Sequence, residues 1–131
     1  MKLLLDTCCI IWAVSQPSEL SDKAAGLLVA EDSEIHVSAI SAAEIACAVE
    51  RNRITIDRHW KKWFRHYIEL NGWSIVDITL DIMEEAYSLP DKFHADPADR
   101  IITATARLKK FTILTADKKL LAYPHVNSAW Q

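Results

Sequence analysis

Glycine and cysteine are scarce in this chain, and their scarcity excludes several classes of site. Only two glycines occur among 131 residues, Gly26 and Gly72, so neither a P-loop nor a dinucleotide-binding GxGxxG motif can be present. The three cysteines include one adjacent pair, Cys8 and Cys9. They provide neither an even disulfide framework nor a CxxC metal pair, so we expect reduced thiols and no soft-metal site.

Long apolar runs are also missing. The longest stretch without a charged residue is the twelve residues 7–18, whereas a membrane span needs about 20. Asp6 interrupts the apolar residues 3–5 too early for a signal peptide. We therefore expect a cytoplasmic protein with no membrane segment. The length, with 50% hydrophobic and 25% charged residues, is typical of one globular domain covering residues 1–131.

The net charge of −3 conceals blocks of opposite sign. Residues 51–67 and residues 100–131 each carry 6 basic and 1 acidic side chains, whereas residues 1–50 carry 2 and 8, and residues 68–99 carry 1 and 8. A small net charge is therefore compatible with a local basic surface that binds an anionic partner. Solvated helix faces explain the basic blocks Arg51–Arg65 and Arg107–Lys119 equally well.

Short apolar segments alternate with amphipathic segments along the chain. Strands are predicted over residues 2–5, 34–38, 73–78 and 111–115, with a short fifth near Val126; helices are predicted over residues 8–14, 21–30, 41–52, 57–70, 81–89, 97–109 and 117–121. This alternation favours a parallel sheet covered by helices on both faces. Trp60, Trp63 and Tyr67 form one stripe of a predicted helix, which is either core or an interface.

Acidic side chains follow two predicted strands and lie in the first turns of two predicted helices. Asp6 directly follows the first strand, and Asp117 follows the fourth by two residues. Glu44 and Asp99 lie one turn into helices. Because ligands of parallel sheets bind beyond the carboxyl ends of the strands, these four side chains are placed to meet at one edge of the sheet.

Each of these acids except Asp6 also has a purely structural explanation. Ser41 and Glu44 match a capping box, Asp99 suits the positive end of a helix dipole, and Asp117 suits the start of its own helical turn. Asp96 is best explained as the N-cap of the helix that Pro97 opens. Asp6 has no evident capping partner in the sequence.

A cluster of three or four carboxylates is stable as charged groups mainly when a cation lies among them. Oxygen ligands without thiolates or paired histidines favour Mg²⁺ or Mn²⁺. Such an ion activates water and stabilises a leaving oxygen in phosphodiester hydrolysis. The acids therefore predict a metal-dependent phosphodiesterase.

Three other functions are compatible with parts of the sequence. A phosphoryl-transfer enzyme with Asp6 as nucleophile would need a second aspartate where Cys8 stands. A nuclease without metal would use His94, His59 or His66. A catalytically silent module that binds RNA or protein would not need the whole acidic set. Sensitivity of RNA cleavage to EDTA separates these possibilities.

Four segments of the chain resemble the signature blocks of PIN-domain ribonucleases, and in order and spacing they particularly resemble VapC toxins of toxin–antitoxin pairs. The segments are KLLLDT (2–7), SAISAAEIACAVERNRI (38–54), HADPADRIITATA (94–106) and TILTADKKL (112–120). The resemblance implies a PIN-like, three-layer α/β/α sandwich around a mostly parallel sheet. It also implies a Mg²⁺- or Mn²⁺-dependent endoribonuclease that forms a homodimer and is inhibited by a cognate antitoxin.

The same resemblance assigns roles to individual residues. Asp6, Glu44 and Asp99 match the three central metal-binding and catalytic acids, and Asp117 matches a more variable fourth. Thr7 and Thr115 match hydroxyl positions that help to orient ligands or water. In the mechanism expected from this match, Arg100 and the basic blocks hold the RNA backbone.

Overall fold

A computed structural model describes all residues from 1 to 131, and a single sheet runs through it. The strands are β1 (Lys2–Leu5), β2 (Glu34–Ser38), β3 (Ser74–Val76), β4 (Thr112–Leu114) and β5 (Asn127–Ala129). The helices are α1 (Thr7–Ser15), α2 (Asp22–Val29), α3 (Ile40–Glu50), α4 (Trp60–Leu70), α5 (Leu80–Ala86), α6 (Pro97–Lys109) and α7 (Lys118–Ala122). No helix combines the length and apolar character that crossing a membrane requires.

All neighbouring strands pair in parallel, in the order β3-β2-β1-β4-β5. Strand β1 is central, and its residues Leu3, Leu4 and Leu5 are fully buried. Leu5 lies opposite Val37 of β2 and opposite Leu114 of β4. The order of the strands changes direction between β1 and β4, so the residues that follow these two strands lie at the crevice where parallel sheets bind ligands.

Alternation of side chains along the strands builds two cores. Leu4 and Ile113 are fully buried on one face, where they pack with residues of α6. Leu5, Val37 and Leu114 are fully buried on the other face, in one cluster with residues of α1, α2, α3 and α4. Helices therefore cover both faces, which confirms the predicted α/β/α sandwich; the sheet is parallel throughout rather than mostly parallel.

The aromatic stripe of α4 belongs to the core. Trp63 is 1% exposed and shares a cluster with Phe64 and Ile68. Trp60 and Tyr67 are half-buried and pack against the same cluster. Trp63 is thus a core residue, and Trp60 and Tyr67 lie at the edge of the core with part of their surface exposed.

Two predicted helix boundaries are wrong. Helix α4 begins at Trp60 rather than at residue 57, because His59 caps it by accepting a hydrogen bond from the Lys61 amide. Asp57 instead contacts Arg58 and accepts from the Tyr67 hydroxyl at 2.7 Å. Helix α5 ends at Ala86 rather than at residue 89, since the residue before Pro90 disfavours helical geometry.

Candidate active site

Asp6 and Thr115 meet because β1 and β4 are neighbours in matched register. Since Leu5 lies opposite Leu114, the next residue of each strand emerges at the same point of the sheet edge. The Thr115 hydroxyl, fully buried, donates to Asp6 Oδ2 at 2.7 Å. The other carboxylate oxygen accepts from the Thr7 amide at 2.8 Å. Asp6 therefore caps α1, a role that the sequence did not reveal.

Glu44 faces α1 across the groove between α1 and α3. The Thr7 hydroxyl donates to Glu44 Oε1 and lies 2.8 Å from the Ser41 hydroxyl. The capping box proposed for Ser41 and Glu44 does not form, because Ala39 is the N-cap of α3 and makes no side-chain cap. Ser41 is fully buried and contacts the Thr7 hydroxyl instead. The carboxylate of Glu44 makes no cap and contacts Thr7 at the site.

Asp99 lies in the first turn of α6, one turn beyond its cap. The Asp96 carboxylate accepts from the amides of Ala98 and Asp99 at 2.9 and 3.2 Å, as the sequence predicted for an N-cap. The Asp99 side chain is therefore free for another partner. Its Oδ2 lies 2.6 Å from His94 Nε2, so the segment before α6 supplies the group that orients this carboxylate.

Asp117 has a structural contact and also lies beside the other acids. Its carboxylate accepts from the Lys119 amide at 2.8 Å and so caps α7. Its own amide donates to the Thr115 hydroxyl at 3.0 Å, which ties it to the residue that contacts Asp6. The cap explains why an aspartate suits this position, and the shared threonine places it at the rim of the site.

The acids at this edge have no lysine or arginine partner. None of the ion pairs in the structure joins a lysine or arginine to Asp6, Glu44, Asp99 or Asp117. Burial, and then the nearby charge of Asp99, raise the pKa of Asp6 to about 6, against the opposing effect of the Thr115 hydrogen bond. The side chains are therefore costly to keep ionised without a counter-ion.

The pKa values of Glu44 and Asp99 are raised for the same reasons. Burial raises the pKa of Glu44 most, and the charges of Asp6 and Asp99 add to it, while the hydrogen bond from Thr7 opposes the change. Burial likewise raises the pKa of Asp99, while the hydrogen bond to His94 lowers it. These mutual effects indicate that the carboxylates act on one another across a common space.

The thiol of Cys8 is influenced by all four acids. Burial first, and then the charges of Asp6, Glu44, Asp117 and Asp99, raise the pKa of its thiol to about 11. All four carboxylates thus lie on the side of the sheet from which α1 begins. The structure therefore brings the four predicted acids to one edge of the sheet.

The carboxylates are nevertheless turned to protein partners rather than to one shared point. No group of three or more histidine, cysteine, aspartate or glutamate side chains is arranged to hold a metal ion. Asp6 contacts Thr115, Glu44 contacts Thr7, and Asp99 contacts His94. Holding an ion in common would require rotation of these side chains, whose oxygen atoms are the donors that Mg²⁺ prefers.

Comparison with known proteins agrees with this geometry. The PIN domain family matches residues 3–126. This chain belongs to the PIN domain family. It is also 33% identical over 123 residues to Ribonuclease VapC22 of Mycobacterium tuberculosis, covering 94% of this chain and 92% of that protein.

Solved PIN-like structures share the fold. VapBC2 from Rickettsia felis, bound to a DNA fragment from its promoter, superposes with a TM-score of 0.73 and 18% identity, covering all of both chains. A toxin–antitoxin complex from Klebsiella pneumoniae gives a TM-score of 0.66 and 23% identity, covering 97% of this chain and 95% of that one. At these identities the likeness concerns the fold.

Arg100 of this PIN domain does not have the exposed position expected of an RNA-backbone contact. Its guanidinium donates to the carbonyl oxygens of Ala86 and Phe93 at 3.0 and 3.1 Å, and it lies over the rings of Tyr87 and Phe93. These contacts hold the α5–α6 connection in place, and the expected contact of Arg100 with the RNA backbone stays a prediction.

Two residues of the site were not identified as such from the sequence. Ser41 was interpreted only as part of a cap, and His94 only as the base of a metal-free nuclease. No spacing rule connects His94 to Asp99, since the contact depends on how the chain turns into α6. The sequence signal that existed was indirect: Asp96 caps α6, which leaves Asp99 without a main-chain partner of its own.

Proposed function

We propose that this PIN domain is a Mg²⁺- or Mn²⁺-dependent endoribonuclease and the toxin of a toxin–antitoxin pair. The observation that carries the proposal is the meeting of Asp6, Glu44 and Asp99 at the crevice of the sheet without a lysine or arginine partner. Such an arrangement is costly for folding alone. The likeness to Ribonuclease VapC22 supports RNA as the substrate.

The donor chemistry of the site fits a hard divalent cation. Asp6, Glu44 and Asp99 would hold the ion through carboxylate oxygens, with Asp117 assisting directly or through water. Bound there, the ion would supply activation of water and stabilisation of the leaving oxygen of the phosphodiester. A cation would also favour the ionised state of acids whose pKa values burial raises.

The remaining polar groups orient the acids. Thr115 holds one oxygen of Asp6, Thr7 holds Glu44, and His94 holds Asp99. Partners of this kind fix the rotamers of ligating carboxylates and affect both metal affinity and activity. We infer that Thr7, Thr115 and His94 are positioning residues rather than groups that react with RNA.

A cognate antitoxin is part of the proposal. The solved relatives from Rickettsia felis and Klebsiella pneumoniae are toxin–antitoxin complexes, and the fold of this chain matches theirs over nearly its whole length. We propose that a partner protein of that type inhibits this nuclease in the cell. The homodimer expected from the family resemblance stays a prediction, to be checked by light scattering of the purified protein.

A catalytically silent PIN-like module is the competing function. The observation in its favour is that no three acidic side chains share one point in the structure. It predicts binding of RNA or protein without cleavage, and no dependence on a divalent ion.

The decisive experiment combines metal removal with two matched aspartate variants. Purified protein is incubated with total RNA and Mg²⁺ or Mn²⁺, with and without EDTA, and the new RNA ends are sequenced. We expect cleavage that EDTA abolishes. Asp6→Asn should reduce the rate about 100-fold or more, because the variant loses a charged oxygen at the site.

Asp96→Asn is the matched control for this experiment. The change removes the same charge only three residues from Asp99, but asparagine is as good an N-cap as aspartate. We expect folded protein with cleavage within about threefold of wild type. Equal cleavage by Asp6→Asn and wild type, or cleavage that persists in EDTA, would overturn the proposal.

A further inference from the structure

One buried serine beside the acids has no function in the proposed mechanism. Ser41 lies in the first turn of α3, one turn before Glu44, and is fully buried. A serine inside a helix can satisfy its hydroxyl at a main-chain carbonyl one turn earlier. The Ser41 hydroxyl instead makes its single hydrogen bond with the side chain of Thr7, the first residue of α1, at 2.8 Å.

The direction of this hydrogen bond follows from the other contact of the Thr7 hydroxyl. A hydroxyl has one proton to donate and two lone pairs that accept, whereas an ionised carboxylate only accepts. The Thr7 hydroxyl donates its proton to Glu44 Oε1, so only its lone pairs are left for Ser41. Ser41 is therefore the donor, and the bonds run in one direction, from Ser41 to Thr7 to Glu44.

Thr7 contacts two acids of the site at once. Its main-chain amide donates to Asp6 Oδ1 at 2.8 Å, and its hydroxyl donates to Glu44. The amide contact depends on the backbone, but the hydroxyl contact depends on the side-chain rotamer of Thr7. Whatever fixes that rotamer therefore also fixes the position of the Glu44 carboxylate next to Asp6.

Ser41 is placed to fix the Thr7 rotamer. Its donor is fully buried, and α3 carries both Ser41 and Glu44 on neighbouring turns. The Thr7 oxygen is thus held between a donor and an acceptor of the same helix, and hydrogen bonds in such a chain strengthen one another. Loss of the Ser41 hydroxyl would free the Thr7 side chain to turn away from Glu44.

A second chain of bonds at the site has the same form. The Asp117 amide donates to the Thr115 hydroxyl at 3.0 Å, and this hydroxyl donates to Asp6 Oδ2 at 2.7 Å. Its first donor is a main-chain amide, which substitution cannot remove. The chain to Glu44 begins instead at the side chain of Ser41, so its contribution can be measured by mutation.

We propose that Ser41 is a positioning residue of the metal site. By donating to the Thr7 hydroxyl, it commits the Thr7 proton to Glu44, holds Oε1 of that carboxylate at α1 and leaves Oε2 for the divalent ion. This inference rests on the proposed nuclease function, because it gives Ser41 a role in metal binding. Ser41 contacts neither the ion nor RNA in this role and acts through Thr7 alone.

The test measures Mn²⁺ binding in the absence of RNA. Free Mn²⁺ is counted by electron paramagnetic resonance during a titration of the purified protein, whose folding is checked by circular dichroism. Ser41→Ala should weaken Mn²⁺ binding about tenfold, since partners of ligating carboxylates contribute about 10- to 100-fold to metal affinity. Ser41→Cys keeps the size of the side chain with a weaker donor and should give a smaller loss.

Variants of Thr7 test whether Ser41 acts through this residue. Thr7→Val removes the hydroxyl and should weaken Mn²⁺ binding at least tenfold, whereas Thr7→Ser keeps it and should stay within about threefold of wild type. Adding Ser41→Ala to Thr7→Val should weaken binding by less than about twofold more, because the contact is already lost. A further tenfold loss in the double variant would overturn the proposal.

Ser38→Ala is the matched control. Ser38 ends β2 three residues before Ser41 and is 1% exposed; its hydroxyl oxygen accepts from the Ile40 amide at 3.2 Å and bonds to no acid. The control removes an equally buried hydroxyl and should leave Mn²⁺ binding within about twofold of wild type. Equal losses in Ser38→Ala and Ser41→Ala would assign the effect to general loosening of this segment and overturn the proposal.

RNA cleavage separates this inference from the proposed function. In Ser41→Ala, the Mn²⁺ concentration for half-maximal cleavage should rise about tenfold, while the rate at saturating Mn²⁺ stays within about threefold of wild type. If wild type cleaves RNA but Ser41→Ala binds Mn²⁺ like Ser38→Ala, the positioning role is overturned and the nuclease stands. If Mn²⁺ binding depends on Ser41 but wild type cleaves no RNA, the positioning role stands and the nuclease proposal fails. A wild type that binds no Mn²⁺ would overturn both.

Discussion

Two carboxylates of similar burial occupy very different environments in this protein. Glu85 on α5 is 24% exposed at its side chain, and Arg107 of α6 donates to it at 2.8 Å. Asp99, at the other end of α6, is 16% exposed and contacts only His94 among basic side chains. Arg107 also donates to the His125 carbonyl, so the α5–α6 pair is complete without any ligand.

Glu85 carries a charge that stabilises the fold, whereas the charge of Asp99 is available to a ligand. A carboxylate paired with arginine gains from the fold itself. A group of carboxylates that only amides, hydroxyls and one imidazole contact lowers stability until a cation binds. Removal of a charge from the paired region should therefore lower stability, whereas removal of a carboxylate charge from the site should raise stability in the absence of a cation.

The largest effect is expected at the paired region. Arg107→Ala leaves the Glu85 carboxylate and the His125 carbonyl without their donor, and should lower the free energy of unfolding by about 3 kcal/mol. Urea denaturation followed by circular dichroism measures the change. The control is Lys109→Ala on the exposed end of the same helix, which should stay within about 0.5 kcal/mol of wild type. A loss no larger than that of the control would break the comparison.

A smaller effect is expected from the titration of Asp6 in the absence of metal. Its pKa is about 6 in the folded chain and 3.8 as the ordinary value, so between these values the folded state binds the extra proton. The contribution of Asp6 to stability in EDTA should therefore be fully present below about pH 4 and should be lost, by about 2 kcal/mol after allowance for partial exposure, as the pH rises through about 6.

Asp6→Asn isolates this contribution. The variant cannot titrate at that position, so its unfolding free energy should fall less steeply with pH than that of wild type over the same window. Added Mg²⁺ should raise the stability of wild type at neutral pH and have less effect on the variant. Parallel pH profiles for the two proteins would contradict the assigned cost of the Asp6 charge.

The smallest effect is expected from a matched pair of threonine changes. Thr115 and Thr103 are both fully buried, but Thr115 bonds Asp6 and Asp117 whereas the Thr103 hydroxyl has no partner. Thr115→Val should cost about 1 kcal/mol, and Thr103→Val should be neutral or slightly stabilising. Thermal unfolding of the two variants measures the contrast, and equal changes would show that the hydrogen bonds of Thr115 carry no stability.

The fold was predictable to a large extent because its signals are local. The apolar residues of β1 form a buried strand, and Asp96 and Asp117 cap their helices as expected. Errors arose where a cap was unusual. His59 replaced Asp57 at the start of α4, and the segment before Pro90 left the helix early.

The acidic residues of the site could be predicted from the sequence, but the residues that contact them could not. Asp6, Glu44, Asp99 and Asp117 were selected by their places after strands and in first helical turns, and the fold brings them together. The contacts to Thr7, Thr115 and His94 join positions far apart in the chain. The main-chain contacts of Arg100 were not predictable for the same reason, because its partners lie in a connection whose path depends on α5 and α6 together.

By itself, the sequence determined which side chains are apolar, where most of the helices begin and which oxygen ligands are available, since these depend on neighbouring residues. Tertiary structure decided which acids lack a lysine or arginine partner. That outcome depends on the register of β1 against β4, which places Asp6 beside Thr115. It also depends on the packing of α6, which brings Arg107 into contact with Glu85 and Asp99 into contact with His94. Charge compensation is a property of distances in space, and no local pattern encodes those distances.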